Sequence, residues 1–192
     1  MRGYLFALVL GVPILVASGC GTGQAPPQPQ SVYRATATIK DIMDSIVDPQ
    51  ADVLWNSVAT IITLTGTEER EPRTDEEWAA VRRAAIKVVE APNLLRIPGR
   101  QVARPGEKSA NPRIELQPET IQNLITEDPA TWTRLVNGLH DAAVQALKAI
   151  DARNAKALLD AGESLDKACE SCHQHYWYPP TNSPAWKNPA EQ

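Results

Sequence analysis

Apolar side chains recur at intervals of three and four residues in four stretches of this 192-residue chain. The stretches are residues 39–61, 78–88, 132–150 and 158–176. This spacing places the apolar side chains on one face of a helix, and no segment shows the two-residue period of a half-buried strand. Four apolar faces are buried most simply against one another. The pattern therefore predicts an all-α fold, an antiparallel four-helix bundle.

Residues that favour helix ends flank three of these stretches. Thr74 and Glu77 have the spacing of a capping box before the second stretch, and Asp128-Pro129 opens the third. We expect the last helix to begin near Asn154. It should end before the tail at 179–192, because the first two residues of that tail are prolines.

Prolines interrupt the helical pattern in two places. Pro49 falls inside the first stretch, where we expect it to kink or break the helix, with Asp48 capping a restart. Prolines at positions 92, 98, 105, 112 and 118 predict a long non-helical link at about 92–118. Links of that length are uncommon in compact domains and are often functional. A short helix at about 119–125 is expected to follow.

The first 19 residues have the composition of an export signal. One basic residue precedes a 13-residue apolar run, too short to span a bilayer and typical of a signal-peptide core. Cys20 follows small residues that resemble a lipoprotein box, so we predict a signal peptide at 1–19 and a lipidated Cys20 with a flexible tether at 20–32. A secretory signal cut near Gly19 stays open. Residues 33–192 would then form one periplasmic domain, anchored to a bacterial membrane through Cys20.

Charge narrows the range of partners. The formal net charge is −4, and no block of five or more like charges occurs. This argues against nucleic acid and against an electrostatic membrane patch. No second stretch is apolar and long enough to span a bilayer, so the lipid anchor is the only membrane attachment that we expect.

Three cysteines are an odd number for an exported chain. If lipid consumes Cys20, then Cys169 and Cys172 remain, and two such thiols close a disulfide in an oxidising compartment unless something captures them. His173 follows directly and completes a C-x-x-C-H motif. The cysteines of this motif form thioethers to two vinyl groups on one edge of a haem, and the histidine binds the iron. We therefore predict one covalent haem c.

Other uses of a C-x-x-C pair remain as alternatives. A thioredoxin-like redox pair requires an α/β context, and strands and helices do not alternate here. A structural zinc site requires four ligands, but only His140 and His175 remain besides the motif. A plain disulfide is the third alternative. Haem attachment accounts for the cysteine spacing and the adjacent histidine together.

A single C-x-x-C-H motif near the C-terminus of an exported helical chain resembles the class II cytochromes c, the group of cytochrome c′ and cytochrome c556. Their pattern C-x-x-C-H-x-x-Y/F reads here as Cys169, Cys172, His173 and Tyr176. The resemblance implies a haem at the C-terminal end of the last helix, with His173 as proximal iron ligand and Tyr176 in the cofactor site. Trp177 departs from the family, which often has Arg or Lys at that position.

The sixth iron ligand separates two functions. Low-spin members of this family use a methionine of the first helix, whereas high-spin cytochromes c′ have an apolar residue there and leave the iron open. Met43 is the only methionine besides Met1, and in an up-down-up-down bundle it would face His173. The resemblance thus implies a low-spin His/Met haem and single-electron transfer with periplasmic redox partner proteins. Two alternatives stay open: Met43 as a core side chain, and a high-spin haem protein that binds NO or CO.

No constellation of residues indicates an enzyme. We expect His140 at the surface or beside an iron ligand rather than on the iron, because it lies midway along its helix. We expect His175 at the surface, because it faces another side of the last helix. Arg96, Arg100 and Arg104 are either solvated or paired with haem propionates, since a guanidinium matches carboxylate geometry. Members of this family often dimerise, so a homodimer is a further candidate.

Overall fold

A computed structural model describes residues 32–180 and Ser183. The predicted signal peptide, Cys20 and most of the tether lie outside these residues, as does nearly all of the tail after residue 180. The described chain is mostly helical. In chain order its elements are α1 Ile39–Ile42, a π-helical segment Met43–Val47, α2 Asp48–Ser57, β1 Ala59–Thr63, β2 Gly66–Arg70, α3 Asp75–Leu95, α4 Pro118–Glu127, α5 Pro129–Asp151 and α6 Ala155–Tyr176. Within the described chain no helix has the length and hydropathy needed to cross a membrane.

The first helical segment, residues 39–57, runs through Pro49 without a break. In an α-helix a proline ring clashes with the carbonyl four residues earlier and has no N–H to donate. Here the backbone widens into the π-helical segment just before the proline, where the N–H of Asp48 donates to the carbonyl of Met43, five residues back. Asp48 itself has helical dihedral angles. The predicted break, with Asp48 capping a restart, is therefore wrong.

The chain leaves the helix at Ser57 and forms a β-hairpin, so the all-α prediction is wrong at this point. The antiparallel strands pair from Ala59↔Arg70 to Thr63↔Gly66. The sequence pattern had extended the helix to Ile61, but Val58 is already in an extended conformation. The residues that follow are mostly threonine and isoleucine, whose β-branched side chains favour strands over helices.

The predicted starts of the later helices and the predicted end of the last one are confirmed. Thr74 and Glu77 form a capping box at the start of α3, since each side chain accepts the backbone N–H of the other residue. Asp128 and Asn154 cap α5 and α6 through side-chain oxygens that accept an N–H three residues later. α6 ends at Tyr176, just before the proline pair.

The link between α3 and α4 is shorter than predicted. α3 continues through Pro92 to Leu95, and the prediction that the link begins at about residue 92 is wrong. Pro92 is itself buried, so packing of this 21-residue helix outweighs the hydrogen bond that the proline cannot make. The link, residues 96–117, has no helix or strand, yet its Val102 and Leu116 are buried. The predicted short helix after the link is confirmed as α4.

The hydrophobic core lies between the first helical segment, α3, α5 and α6. The first helical segment contacts α3 and α6, α3 contacts α5, and α5 contacts α6. Each of these helices contributes side chains with almost no exposure: Leu54, Val88, Ala143, Leu158 and Leu165. Trp55 of α2 contacts α6 directly, because its indole N–H donates to the carbonyl of Gly162 at 3.1 Å. A Cβ atom on Gly162 would lie 3.3 Å from the Trp55 ring, so glycine suits this approach.

Candidate functional site

The C-terminal turns of α6 carry the C-x-x-C-H motif on the side that faces the core. Leu165 and Tyr176, before and after the motif, are 0% and 3% exposed. Cys169 and Cys172 lie between them on the same face, half-buried and packed against the core. The helix face predicted from the three- and four-residue spacing is confirmed, and both thiols lie on its inward side.

Burial keeps both thiols protonated. It raises the pKa of Cys169 to about 11 and that of Cys172 to about 12, and nearby carboxylates add to the effect at Cys169. Redox-active C-x-x-C pairs instead have depressed thiol pKa values, commonly at a helix N-terminus. Here the pair lies near the C-terminus of a 22-residue helix, where the helix dipole disfavours an anion. The pair therefore lacks the surroundings that lower thiol pKa values in redox-active C-x-x-C pairs.

His173 is half-buried, and burial lowers the pKa of its imidazole. The neutral imidazole that results is the form that binds a metal ion. Its ring meets the ring of Trp177 edge to face, with centroids 5.1 Å apart, and lies tilted against Tyr178 at 5.8 Å. Two aromatic rings therefore wall the imidazole.

A tight turn after α6 holds these rings in place. The N–H groups of Trp177 and Tyr178 both donate to the carbonyl of His173, at 2.7 and 3.0 Å. The carbonyl of Trp177 accepts the N–H of Leu116 at 2.7 Å, which ties the turn to the link. The Tyr178 hydroxyl reaches back along α6, where it lies 2.5 Å from Oε1 of Glu170 and 3.4 Å from Nδ1 of His173.

Tyr176, which the family pattern places in the cofactor site, packs against Trp132 edge to face with ring centroids 5.5 Å apart. Its hydroxyl has no hydrogen-bond partner within the described part of the chain. Burial raises the pKa of Tyr176 to about 12, so the hydroxyl keeps its proton. Because a buried donor without an acceptor costs about 1–3 kcal/mol, a ligand that supplies an acceptor fits this position.

Met43 is the first residue of the π-helical segment, and its side chain is half-buried against the core. Asp48, the first residue of α2, follows this segment. Its carboxylate acts on the pKa values of both Cys169 and His173, so the start of α2 lies near the motif. Met43 as an iron ligand stays a prediction.

The link contacts both regions that carry the predicted iron ligands. The carbonyls of Gln101 and Val102 accept the N–H groups of Ile39 and Lys40, at 2.9 and 3.0 Å. These bonds hold the first turn of the first helical segment. Leu116, near the other end of the link, binds the turn after α6. The proline-rich link therefore helps to position both sides of the candidate site.

The remaining histidines lie at the surface, as predicted. His140 lies beside Asp141, with Nδ1 and Oδ1 3.3 Å apart, and 39% of its side chain is exposed. His175 is also exposed and contacts Tyr176 edge to face, with ring centroids 4.6 Å apart.

The three arginines of the link all bind protein groups. Arg96 donates to the side-chain oxygen of Asn137 at 3.0 Å, and Arg104 pairs with Asp41. Arg100 is buried and donates to two backbone carbonyls. Arg96 and Arg104 each use one nitrogen of the guanidinium in these contacts, and their pairing with haem propionates stays a prediction.

Sequence reasoning missed Tyr178 and Glu170. Glu170 is one of the two variable positions inside the motif, and Tyr178 follows the predicted helix. The available signal was the three-residue interval from Glu170 to His173, which places both on one side of a helix. Tyr178 gave no comparable signal, because its position depends on the turn that ends α6.

The end of α6 fits a covalently held haem. It combines two protonated thiols, a neutral imidazole and a buried hydroxyl that lacks an acceptor. Among the residues that the structure describes, no three His, Cys, Asp or Glu side chains are grouped to hold a bare metal ion. A haem iron needs fewer protein ligands, because the porphyrin supplies four nitrogens. Comparison of the chain with protein-family models, with curated proteins and with solved structures finds no match.

Proposed function

We propose that this chain is a monohaem c-type cytochrome that transfers single electrons in the bacterial periplasm and is not an enzyme. The observation that carries the proposal is the placement of Cys169, Cys172 and His173. Two protonated thiols and a neutral imidazole lie together near the end of one core-facing helix. The closed ring of contacts among the first helical segment, α3, α5 and α6 supports an antiparallel four-helix bundle as the haem-binding frame.

Each residue of the motif has a separate task. Cys169 and Cys172 hold one haem c through thioethers, and each bond forms by addition of S–H across a vinyl group, so no oxidant is needed and no atom is lost. His173 is the proximal ligand, and Met43 supplies a soft, neutral thioether sulfur as the distal ligand. A bound haem supplies an iron that takes up and returns one electron.

The surroundings of the motif suit electron transfer. The rings of Trp132, Tyr176, Trp177 and Tyr178 lie around the end of α6, and those of Trp132 and Tyr176 are buried. Burial of this kind is one of the means by which a protein sets a reduction potential.

Export and tethering complete the proposal. Lipidated Cys20 would anchor the protein to a membrane, and the Gly- and Pro-rich tether at 20–32 would leave the haem domain free to meet redox partner proteins. We do not expect nucleic acid as a partner, and a homodimer remains a candidate. Mass spectrometry of the mature N-terminus tests this step. An unmodified Cys20, or cleavage elsewhere, would make the protein an untethered periplasmic carrier.

Optical spectra of the exported, haem-loaded protein test the electron-carrier function. We expect a low-spin spectrum in the reduced parent and slow or no binding of carbon monoxide. Met43→Leu keeps the packing volume but removes the sulfur, so the variant should be high-spin and bind carbon monoxide readily. Ile46→Leu, a change on the same half-buried apolar stripe, is the matched control and should leave the spectrum unchanged.

Two results would contradict this assignment. A parent that is already high-spin and binds carbon monoxide fast would favour a gas-binding haem protein that takes up NO or CO. A folded Met43→Leu variant that is still low-spin would show that another side chain is the sixth ligand, and His140 would be examined first.

A further inference from the structure

Tyr178 lies where it can act on the imidazole of His173. Its hydroxyl oxygen is 2.5 Å from Oε1 of Glu170 and 3.4 Å from Nδ1 of His173, and the two rings contact each other. Glu170 lies one helical turn before His173 in α6. The phenol therefore bridges a carboxylate and an imidazole that belong to the same helix.

The protons of this group can be assigned from the contacts. The Glu170 carboxylate is an acceptor, and its hydrogen bond to Tyr178 lowers its pKa. The phenol of Tyr178 keeps its single proton at neutral pH, because a phenol ordinarily loses it only at about pH 10. That proton is donated to Glu170 over the 2.5 Å contact. Only lone pairs of the phenol oxygen then face Nδ1 of His173, so a hydrogen bond across the 3.4 Å contact requires the Nδ1–H tautomer.

The bridging geometry is fixed from several sides. The second oxygen of Glu170 accepts the side-chain amide of Gln174 at 3.0 Å, so both carboxylate oxygens are bound. The backbone N–H of Tyr178 donates to the carbonyl of His173. The hydrogen bond from Leu116 to the carbonyl of Trp177 fixes the turn that carries Tyr178.

We propose that Tyr178 is a positioning residue for His173: its oxygen accepts the Nδ1–H of the imidazole while its hydroxyl donates to Glu170, which fixes the ring orientation and leaves the Nε2 lone pair free to bind iron. The proposal rests on the proposed function and deepens it. It also assigns a purpose to Glu170, a variable position of the motif, and to the turn formed by Trp177 and Tyr178.

The expected effect follows from the direction of the hydrogen bonds. Two consecutive hydrogen bonds, from imidazole to phenol and from phenol to carboxylate, draw the Nδ1 proton away from the ring and make Nε2 a stronger electron donor. A stronger donor stabilises the ferric more than the ferrous form and lowers the reduction potential. Groups that orient a metal ligand typically change metal affinity or activity by about 10–100-fold. We expect the lower end of that range, about tenfold in the redox equilibrium constant, which is about 59 mV for one electron.

Tyr178→Phe and Glu170→Gln test the proposal in the haem-loaded protein. Tyr178→Phe keeps the aromatic ring but removes the hydroxyl that bridges Glu170 and His173. The reduction potential should rise by about 59 mV, which corresponds to a tenfold change in the redox equilibrium constant. Glu170→Gln keeps a weaker acceptor, so the rise should be smaller. Glu163→Gln removes the same charge from an exposed position of the same helix, where Glu163 pairs with Lys167. The potential of this control should be unchanged.

The Nδ1 proton gives a readout that a merely structural role would not move. In the reduced parent we expect the His173 Nδ1–H signal in nuclear magnetic resonance spectra to exchange slowly with solvent, and in Tyr178→Phe to exchange faster. In the full-length chain without haem and with reduced thiols, the nitrogen chemical shifts of His173 should report the Nδ1–H tautomer, and Tyr178→Phe should lose this preference. Far-UV circular dichroism confirms that each variant is folded.

The outcomes separate this proposal from the proposed function. A parent that takes up no covalent haem refutes the proposed function, while the tautomer in the haem-free chain still decides the role of Tyr178. Covalent haem in all variants with equal potentials and equal Nδ1–H exchange refutes the positioning role and leaves the cytochrome function intact.

Discussion

Replacement of Leu165 by alanine tests which face of α6 is turned inward. Leu165 is fully buried and lies one turn before Cys169 on the same face. Leucine-to-alanine changes at buried sites cost about 2.7–5.0 kcal/mol, because transfer free energy is lost and a cavity remains. Domains of this kind have a free energy of unfolding of about 5–15 kcal/mol. A loss of about 4 kcal/mol is a large fraction of that and corresponds to a fall in Tm of about 8–16 °C.

Leu159→Ala provides the matched control. Leu159 has the same side chain in the same helix but is 41% exposed, so its replacement should change the free energy of unfolding by no more than about 0.5 kcal/mol. Urea unfolding of exported protein with matched haem content, followed by far-UV circular dichroism, measures both values. Equal unfolding midpoints for the two variants would refute the inward orientation of the face that carries the cysteines.

Two further predictions concern the stability of the fold. Two backbone N–H groups at the start of α3 hold the pKa of the Glu77 carboxyl below its usual range. The ionised carboxylate therefore stabilises the folded state at pH values above the ordinary carboxyl pKa, and this stabilisation is lost as the pH falls through the lowered pKa of the folded state. In urea unfolding, Glu77→Gln should therefore be less stable than the parent at neutral pH, with a difference that vanishes in acid. Arg100→Leu removes two hydrogen bonds from a buried, charged side chain to the carbonyls of Leu94 and Ala37 and should lower the free energy of unfolding by about 1.5–3 kcal/mol, whereas the exposed Arg113 should tolerate the same change.

Helices with strong periodicity and local caps were predictable from the sequence. Helix caps act within three residues of the helix start, so neighbouring residues in the sequence are enough to predict them. This holds for the capping box of Thr74 and Glu77 and for the caps Asp128 and Asn154. The inward position of the motif cysteines was also predictable, because Cys169 and Cys172 continue the three- and four-residue spacing of Leu165.

Features in which tertiary packing overrides the local preference of the sequence were not predictable. The spacing of Leu54, Val58 and Ile61 predicted a continuous helix where the structure has a helix end and a strand. Three apolar residues at these intervals fit either arrangement, so the hairpin was missed. Pro49 and Pro92 suggested breaks, but a π-helical segment accommodates the first, and burial of α3 outweighs the hydrogen bond lost at the second. The bridge through Tyr178 depends on a turn whose geometry involves the distant Leu116.

The mass of the exported protein after extraction in acidic organic solvent tests the central claim most directly. With haem maturation present, the account predicts that one haem stays bound to each chain, because Cys169 and Cys172 hold it through thioethers. Replacement of both cysteines by alanine should leave haem that extracts completely. Haem that extracts freely from the parent, or a parent that carries a disulfide between Cys169 and Cys172 and no haem, would contradict the account.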